Sequence, residues 1–103
     1  MSTDVFGALA SPVRREILSL LRAGPQPVHA LAARFEMRRP SVSEHLRVLR
    51  DAGLVSERRD GRLRYYGLEA APLEQVSDWL RPYERFWRTK LHTLRELLDS
   101  DDE

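Results

Sequence analysis

Hydrophobic residues recur at helical spacing near the start of the chain. The apolar run at 5–10 predicts one or two helical turns. Ser11-Pro12 then supplies an N-cap and a first-turn proline for a longer helix, which Gly24-Pro25 ends. The apolar face of that helix is formed by Val13, Ile17, Leu18, Leu20 and Leu21.

Two further helices joined by a tight turn are predicted at 28–52. The first runs from about Val28 to Phe35, and the second begins near Pro40 and ends at Ala52-Gly53. The second helix is basic on its outer side, whereas its inner face is apolar. This arrangement is typical of a helix-turn-helix. The inner face of the second helix carries Val42, Leu46 and Leu49.

A β-hairpin is predicted at 54–68. Asp60-Gly61 lies between two strand-like runs, and Asp-Gly is favoured where both central residues of the turn need a positive φ. Counting outward from this turn pairs opposite charges with each other and apolar residues with each other. The predicted pairs are Glu57 with Arg64 and Val55 with Tyr66, and the tip is left with Arg58, Arg59 and Arg62.

A wide apolar stripe follows one long helix from about Pro72 to Leu98. Pro82 lies inside this pattern, so a kink or break is expected near Arg81. The stripe favours a dimer interface, because so much aromatic surface exceeds what a small domain covers; the alternative is a helix lying along its own core. The predicted interface residues on this helix are Trp79, Leu80, Tyr83, Phe86, Trp87, Leu91 and Leu94.

Composition limits the classes of function. The 103 residues allow one domain, 1–103, and the absence of cysteine excludes disulfides and cysteine-ligated metal. No run is apolar enough to span a bilayer and no secretory signal is present, so a cytoplasmic protein without membrane contact is expected. Three scattered histidines and no glycine-rich phosphate loop argue against an enzyme, and no cofactor is expected.

Charge is unevenly distributed along the chain. Residues 38–66 contain eight arginines and four acids, whereas residues 67–103 contain five basic residues and nine acids. The acidic end at 99–103 is expected to fray. Sixteen of the 17 basic residues are arginine, the side chain suited to phosphate and guanine, although codon bias explains that preference equally well.

A helix-turn-helix followed by a basic hairpin is the order of a winged helix-turn-helix. The expected fold is mainly α, with about five helices and a two-stranded wing. The second helix would enter the DNA major groove with its N-terminal residues nearest the bases, and the wing would reach the backbone or minor groove. The predicted DNA-binding residues are Arg38, Arg39, Ser41, Ser43, Glu44, His45, Arg47, Arg50, Arg58, Arg59, Arg62 and Arg64.

These residues have different expected roles. Arg39 is the candidate residue for contacting a guanine base, because its guanidinium offers two parallel hydrogen-bond donors, whereas Arg47 and Arg50 would contact phosphates. Glu44 would accept from a cytosine or, more simply, pair with Arg47. His45 has three interpretations: a base contact, a phosphate contact, or packing under the helix.

Four parts of the sequence resemble the ArsR-type (ArsR/SmtB) winged-helix regulators of bacteria. Three of them are FGALASPVR at 6–14, PSVSEHLRVLRDAGLV at 40–55, and the DGR and YY of the wing at 60–66. The fourth, Trp79-Leu80 with Tyr83 and Phe86-Trp87, resembles the final helix of a non-cysteine branch of the family that does not bind metal. The resemblance implies a homodimer held by its first and last helices, which adds Val5, Phe6 and Leu9 to the predicted interface. It also implies that the dimer represses transcription from an operator near its own promoter. A two-fold dimer is expected to bind an imperfect inverted repeat. Arg38 stands where the family usually has a small capping residue, so the recognition helix is expected to lack a side-chain cap.

The resemblance also bears on metal sensing. Metal-sensing members use a cysteine pair on the helix before the recognition helix, or Asp and His on the last helix. Here residues 25–31, which match the helix before the recognition helix, contain no cysteine. On the last helix, the position eleven residues before His92 is Arg81, a cation where a metal ligand would stand, so no metal site is expected. Two alternatives stay open: a regulator of the same fold that responds to metal, to an unknown effector or to a partner protein, and an interaction module that does not bind DNA.

Overall fold

The computed structural model describes residues 4–100, and these form six α-helices and three β-strands. A 3₁₀ turn at Arg81–Tyr83 joins the last two helices. The predicted architecture, mainly α with a β wing, is confirmed. The elements are α1 Val5–Ala8, α2 Pro12–Leu21, β1 Gln26–Pro27, α3 Val28–Ala32, α4 Arg39–Asp51, β2 Val55–Asp60, β3 Leu63–Leu68, α5 Leu73–Leu80 and α6 Glu84–Ser100.

The ends of the first helices follow local side-chain chemistry. Ser11 caps α2 as predicted, because its Oγ accepts a hydrogen bond from the backbone N–H of Arg14 at 3.3 Å. The third helix is shorter than predicted. It ends at Ala32, and the chain continues to Phe35 through tighter turns in which the N–H groups of Arg34 and Phe35 bond the carbonyls three residues earlier.

The two ends of α4 differ in how their backbone groups are satisfied. Arg38 occupies the N-cap position without a side-chain hydrogen bond, as the sequence indicates. At the other end Gly53 has φ of +78°, its N–H bonds the carbonyl of Arg50, and the N–H of Leu54 bonds the carbonyl of Leu49. This is a Schellman motif, which explains why the helix stops at the predicted place.

The hairpin forms, but the predicted register is wrong. Glu57 pairs with Tyr66 and Val55 with Leu68, so each predicted partner is displaced by two residues. The turn is Gly61-Arg62, because Gly61 alone has a positive φ (+64°), as the first central position of a type II′ turn requires. A displacement of two residues keeps every side chain on its predicted face.

The sheet has one strand more than the predicted two-stranded wing. The short β1 pairs antiparallel with β3, which therefore lies between β1 and β2. Because β1 contains only two residues and one of them is Pro27, the alternation of apolar and polar residues could not predict this strand. It ties the start of α3 to the wing, the name used below for the β2–β3 hairpin.

The core lies between α2, α3, α4 and the inner face of the wing. Its centre is formed by side chains that are almost wholly shielded from solvent. α5 packs on the edge of this core through Leu73 and Val76. The largest fully buried side chains are Ile17, Leu21, Leu31, Val42, Leu46, Leu49 and Leu54.

The final helix, α6, projects away from the core into solvent. The break predicted near Arg81 is confirmed by the 3₁₀ turn, and α6 continues beyond it with residues 85–99 exposed. The molecule measures 60 × 33 × 22 Å with a radius of gyration of 18.1 Å, against about 13 Å for a compact domain of this length. The alternative of a helix lying along its own core is therefore wrong for α6. Of the acidic end, Asp99 belongs to α6, and 101–103 lie outside the described residues.

Candidate nucleic-acid interface

α4 presents two chemically different faces. Val42, Leu46 and Leu49 are fully buried and fix the helix on the core. Most of the polar side chains predicted to bind DNA project from the rest of its surface, which is open to solvent. The exposed members on α4 and at its cap are Arg38, Arg39, Ser41, Glu44, Arg47 and Arg50.

A cleft of about 140 Å³ separates the start of α4 from the wing. Arg39 and Ser43 line it from α4, and Arg62 and Arg64 line it from the wing. The start of α3 closes one side with His29. Three of the predicted DNA-binding arginines thus converge on one opening with no acidic residue in its lining, although Arg39 is at least 23 positions away from the other two in the sequence.

A second hollow lies further along α4. Its lining includes Ser43, Arg47 and Arg50 from α4 and Arg64 from the wing, so Ser43 and Arg64 border both openings. Glu44 is the acidic residue in this lining, and its Oε1 accepts a hydrogen bond from Arg47 at 2.6 Å. The ion pair corresponds to the simpler of the two interpretations of Glu44. Both side chains are well exposed, so the pair contributes little to stability.

Glu57 holds α4 and the wing together. Its Oε2 accepts from Arg50 at 2.6 Å and from the Tyr66 hydroxyl at 3.3 Å, and its Oε1 lies 3.6 Å from Arg64. Only 19% of the Glu57 side chain is exposed. Burial, followed by the charge of Glu57, raises the pKa of Tyr66. The carboxylate therefore contacts two predicted DNA-binding arginines: Arg64, with which the sequence pairs it, and Arg50, a contact that the sequence did not indicate.

His45 points into the protein. The side chain is half-buried, and its Nδ1 lies 3.3 Å from a guanidinium nitrogen of Arg14 on α2. Burial and then the charge of Arg14 lower the pKa of His45, and Glu44 acts in the opposite direction. This placement corresponds to the packing interpretation. The residues are 31 positions apart, so nothing in the local sequence signals their contact.

The arginines of the wing do not form a single group. Arg59 shares a ladder position, and hence a face of the hairpin, with Arg64, whereas Arg58 is paired with Tyr65 on the other face. Arg58 lines a separate hollow with Pro25. The alternation of strand side chains could have indicated this division from the sequence. Leu63, exposed beside the turn, was not singled out.

The predicted interface residues divide into buried and exposed sets. Val5 is only 3% exposed and belongs to the core, Leu9 is half-buried and packs against that core, and Leu80 is half-buried. The exposed aromatic residues form a chain: Phe6 meets Trp79 edge-on with ring centroids 6.2 Å apart. The chain continues through Trp79–Tyr83 at 5.2 Å and Tyr83–Phe86 at 6.5 Å. Exposed apolar side chains then extend along α6: Trp87, Leu91, Leu94, Leu97 and Leu98.

Residues 4–100 contain neither a cluster of metal-binding side chains nor a helix suited to spanning a membrane. No three histidine or acidic side chains in this range come together in a group able to hold a metal ion. No helix in the same range combines the length and apolar character needed to cross a membrane.

Comparison with known proteins gives the same family at each level. Residues 11–57 match the family model described as bacterial regulatory protein, arsR family. The transcriptional repressor SdpR of Bacillus subtilis is 36% identical over 77 residues, which cover 75% of this chain and 86% of that protein. The HTH-type transcriptional regulator Rv2034 of Mycobacterium tuberculosis is 39% identical over 94 residues, covering 91% of this chain and 85% of that protein.

Solved structures agree in fold as well as sequence. An ArsR-like transcriptional regulator from Rhodococcus sp. RHA1 superposes with a TM-score of 0.71 at 30% identity, covering 93% of this chain and 88% of that one. Both curated relatives exceed 30% identity over most of their own length. The chain belongs to the ArsR family of bacterial regulatory proteins, which are DNA-binding regulators of transcription and not enzymes.

Proposed function

We propose that the protein is a homodimeric repressor that binds an imperfect inverted repeat through α4 and the wing. The observation that carries this proposal is the convergence of Arg39, Arg62 and Arg64 on the cleft between α4 and the wing. Arginine binds phosphate and guanine in a bidentate manner, and an α-helix fits the major groove. An interaction module that ignores DNA has no use for such a cluster.

The residues around the cleft are proposed to contact different parts of the DNA. Arg39 lies in the first turn of α4, the part of a recognition helix nearest the base edges, and is proposed to contact a guanine. Ser41 and Ser43 are short enough to reach a base edge or a phosphate. Arg62 at the turn of the wing is proposed to contact the DNA backbone or the adjacent minor groove.

A dimer is supported by the apolar surface of α5 and α6. Exposed apolar residues recur at positions 83, 87, 91, 94 and 98, a spacing of three and four that forms one stripe along the helix. Two copies related by a twofold axis would cover each other's stripes. The two α4 helices would then meet half-sites about 10 bp apart, or a multiple of that distance.

Fluorescence anisotropy on DNA from upstream of the protein's own gene tests the proposal. Arg39→Ala should weaken operator binding by about 1–3 kcal/mol and relax base preference at one position. Arg62→Ala should weaken all sequences alike and reduce the salt dependence by about one unit of slope. Arg22→Ala, which removes an exposed arginine at the end of α2, is the matched control.

Two results would contradict this assignment. If Arg39→Ala leaves the ranking of operator variants unchanged, Arg39 does not read a base. If affinity is indifferent to salt, the contact with DNA phosphates is wrong. Parallel titrations with chelator and with added zinc or nickel address the metal-responsive alternative, which a change of about tenfold, or 1.4 kcal/mol of coupling, would favour.

A further inference from the structure

Arg14 joins three segments of the protein. Its Nε donates to the carbonyl of Ala8 at 2.7 Å and its Nη2 to the carbonyl of Gly7 at 3.1 Å, both at the end of α1. Its Nη1 lies 3.3 Å from Nδ1 of His45 on α4. The guanidinium is half-buried and forms no ion pair with an acid of the described chain. It therefore links α1 to α4 through directed hydrogen bonds.

The α1 end of this link adjoins the surface proposed for dimerisation. Phe6 on α1 packs edge-on against Trp79 on α5 and begins the exposed aromatic chain. The other end is one residue away from Glu44, on the helix proposed to enter the major groove. Arg14 thus stands between the two surfaces that the proposed repressor uses.

The link to His45 depends on the charge of the imidazole. Arginine has donors only, so Nδ1 must accept, which requires the neutral ring with its proton on Nε2. Protonation removes that acceptor and places two cations side by side. Arg14 of α2 and Glu44 of α4 are the charged groups that act on the ring. Burial and Arg14 outweigh Glu44, so the pKa of His45 lies below its usual value.

We propose that Arg14 is a positioning residue for the recognition helix, and that protonation of His45 releases α4 from α1 and weakens operator binding in acid. This inference rests on the proposed function, because it concerns the same interface. The contact is present when His45 is neutral and is lost as the pH falls through the pKa of His45. Acid would therefore relieve repression without any bound ligand.

The test is operator affinity measured from about pH 7.5 to about pH 5 in the wild-type protein and in His45→Asn. The amide oxygen of the variant takes the place of Nδ1 as an acceptor and does not titrate. We expect the wild-type protein to lose about tenfold more affinity than His45→Asn across this range, which corresponds to about 1.4 kcal/mol. Contributions from His29 and His92 cancel, because both proteins contain them.

Arg14→Ala and Arg15→Ala complete the experiment. Arg15 also donates to α1, to the carbonyl of Leu9 at 2.6 Å, but does not contact α4, so its variant controls for lost charge and a lost α1 contact. Arg14→Ala should bind operator DNA weakly already at neutral pH, and its affinity should follow the pH profile of His45→Asn. The affinity of Arg15→Ala should keep the wild-type pH profile. Thermal unfolding at both pH values verifies that each variant is folded.

The outcomes separate this inference from the proposed function. If no variant and no wild-type protein binds operator DNA at neutral pH, the proposed function fails. If the wild-type protein binds but shares its pH profile with His45→Asn, or binds more tightly in acid than that variant, the positioning role is wrong and the proposed function stands.

Discussion

Replacing Trp87 by aspartate should separate the proposed dimer into monomers. Trp87 lies on the apolar stripe of α6, and 39% of its surface is exposed to solvent. A tryptophan offers roughly 250 Å² of surface, so association can bury about 100 Å² at each copy, worth about 2.5 kcal/mol. The interface is symmetric and contains the side chain twice, which doubles the loss to about 5 kcal/mol. The dissociation constant should therefore rise more than about 1,000-fold, before any cost of burying the new charge.

Sedimentation velocity over a wide range of protein concentration measures this change. Thr89→Asp is the matched control, since it introduces the same charge two positions further along α6, about 200° around the helix and away from the stripe. The control should remain dimeric and bind operator DNA, whereas Trp87→Asp should do neither. Equal dimer populations in the two variants would refute the assignment of the stripe to the interface.

Two further predictions concern stability. The pKa of Tyr66 is raised by burial and by Glu57, so the folded state keeps the phenolic proton at a pH where the unfolded chain has lost it. The free energy of unfolding should therefore fall as the pH rises above about 10. Tyr66→Phe should flatten that fall in urea titrations, with the exposed Tyr83→Phe as the control. An unchanged alkaline slope would contradict this. Gly53→Ala should lower the free energy of unfolding by about 1 kcal/mol, because φ at this position is +78°. Gly67→Ala should leave it almost unchanged, because φ there is ordinary and an added Cβ would meet no atom closer than 3.6 Å. Equal urea midpoints for the two variants would show that the left-handed conformation carries no cost.

The sequence predicts well those features that depend on neighbouring residues. Ser11 caps α2, Gly53 ends α4 and Pro82 marks the break before α6, because each acts through the backbone within a few residues of itself. The apolar faces of α2 and α4 are also predicted, since burial follows helical spacing.

The register of the wing illustrates why other features escape such prediction. Both Asp60-Gly61 and Gly61-Arg62 are acceptable two-residue turns, and the two registers place the same side chains on the same faces. Hydrophobic patterning therefore cannot distinguish them. The contacts of Arg14 with His45 and of Glu57 with Arg50 are missed for another reason: each joins side chains from separate elements, whose approach depends on packing throughout the core.

The projecting α6 has a consequence for how the proposed repressor responds to its own abundance. In the proposed dimer a second chain covers the stripe, so a protein able to occupy both half-sites would exist only after two chains have met. By mass action the concentration of pairs rises with the square of the chain concentration until most chains are paired, so halving the supply leaves about a quarter of the pairs. Dilution during growth, or modest proteolysis of single chains, would then open the promoter more sharply than a monomeric regulator could.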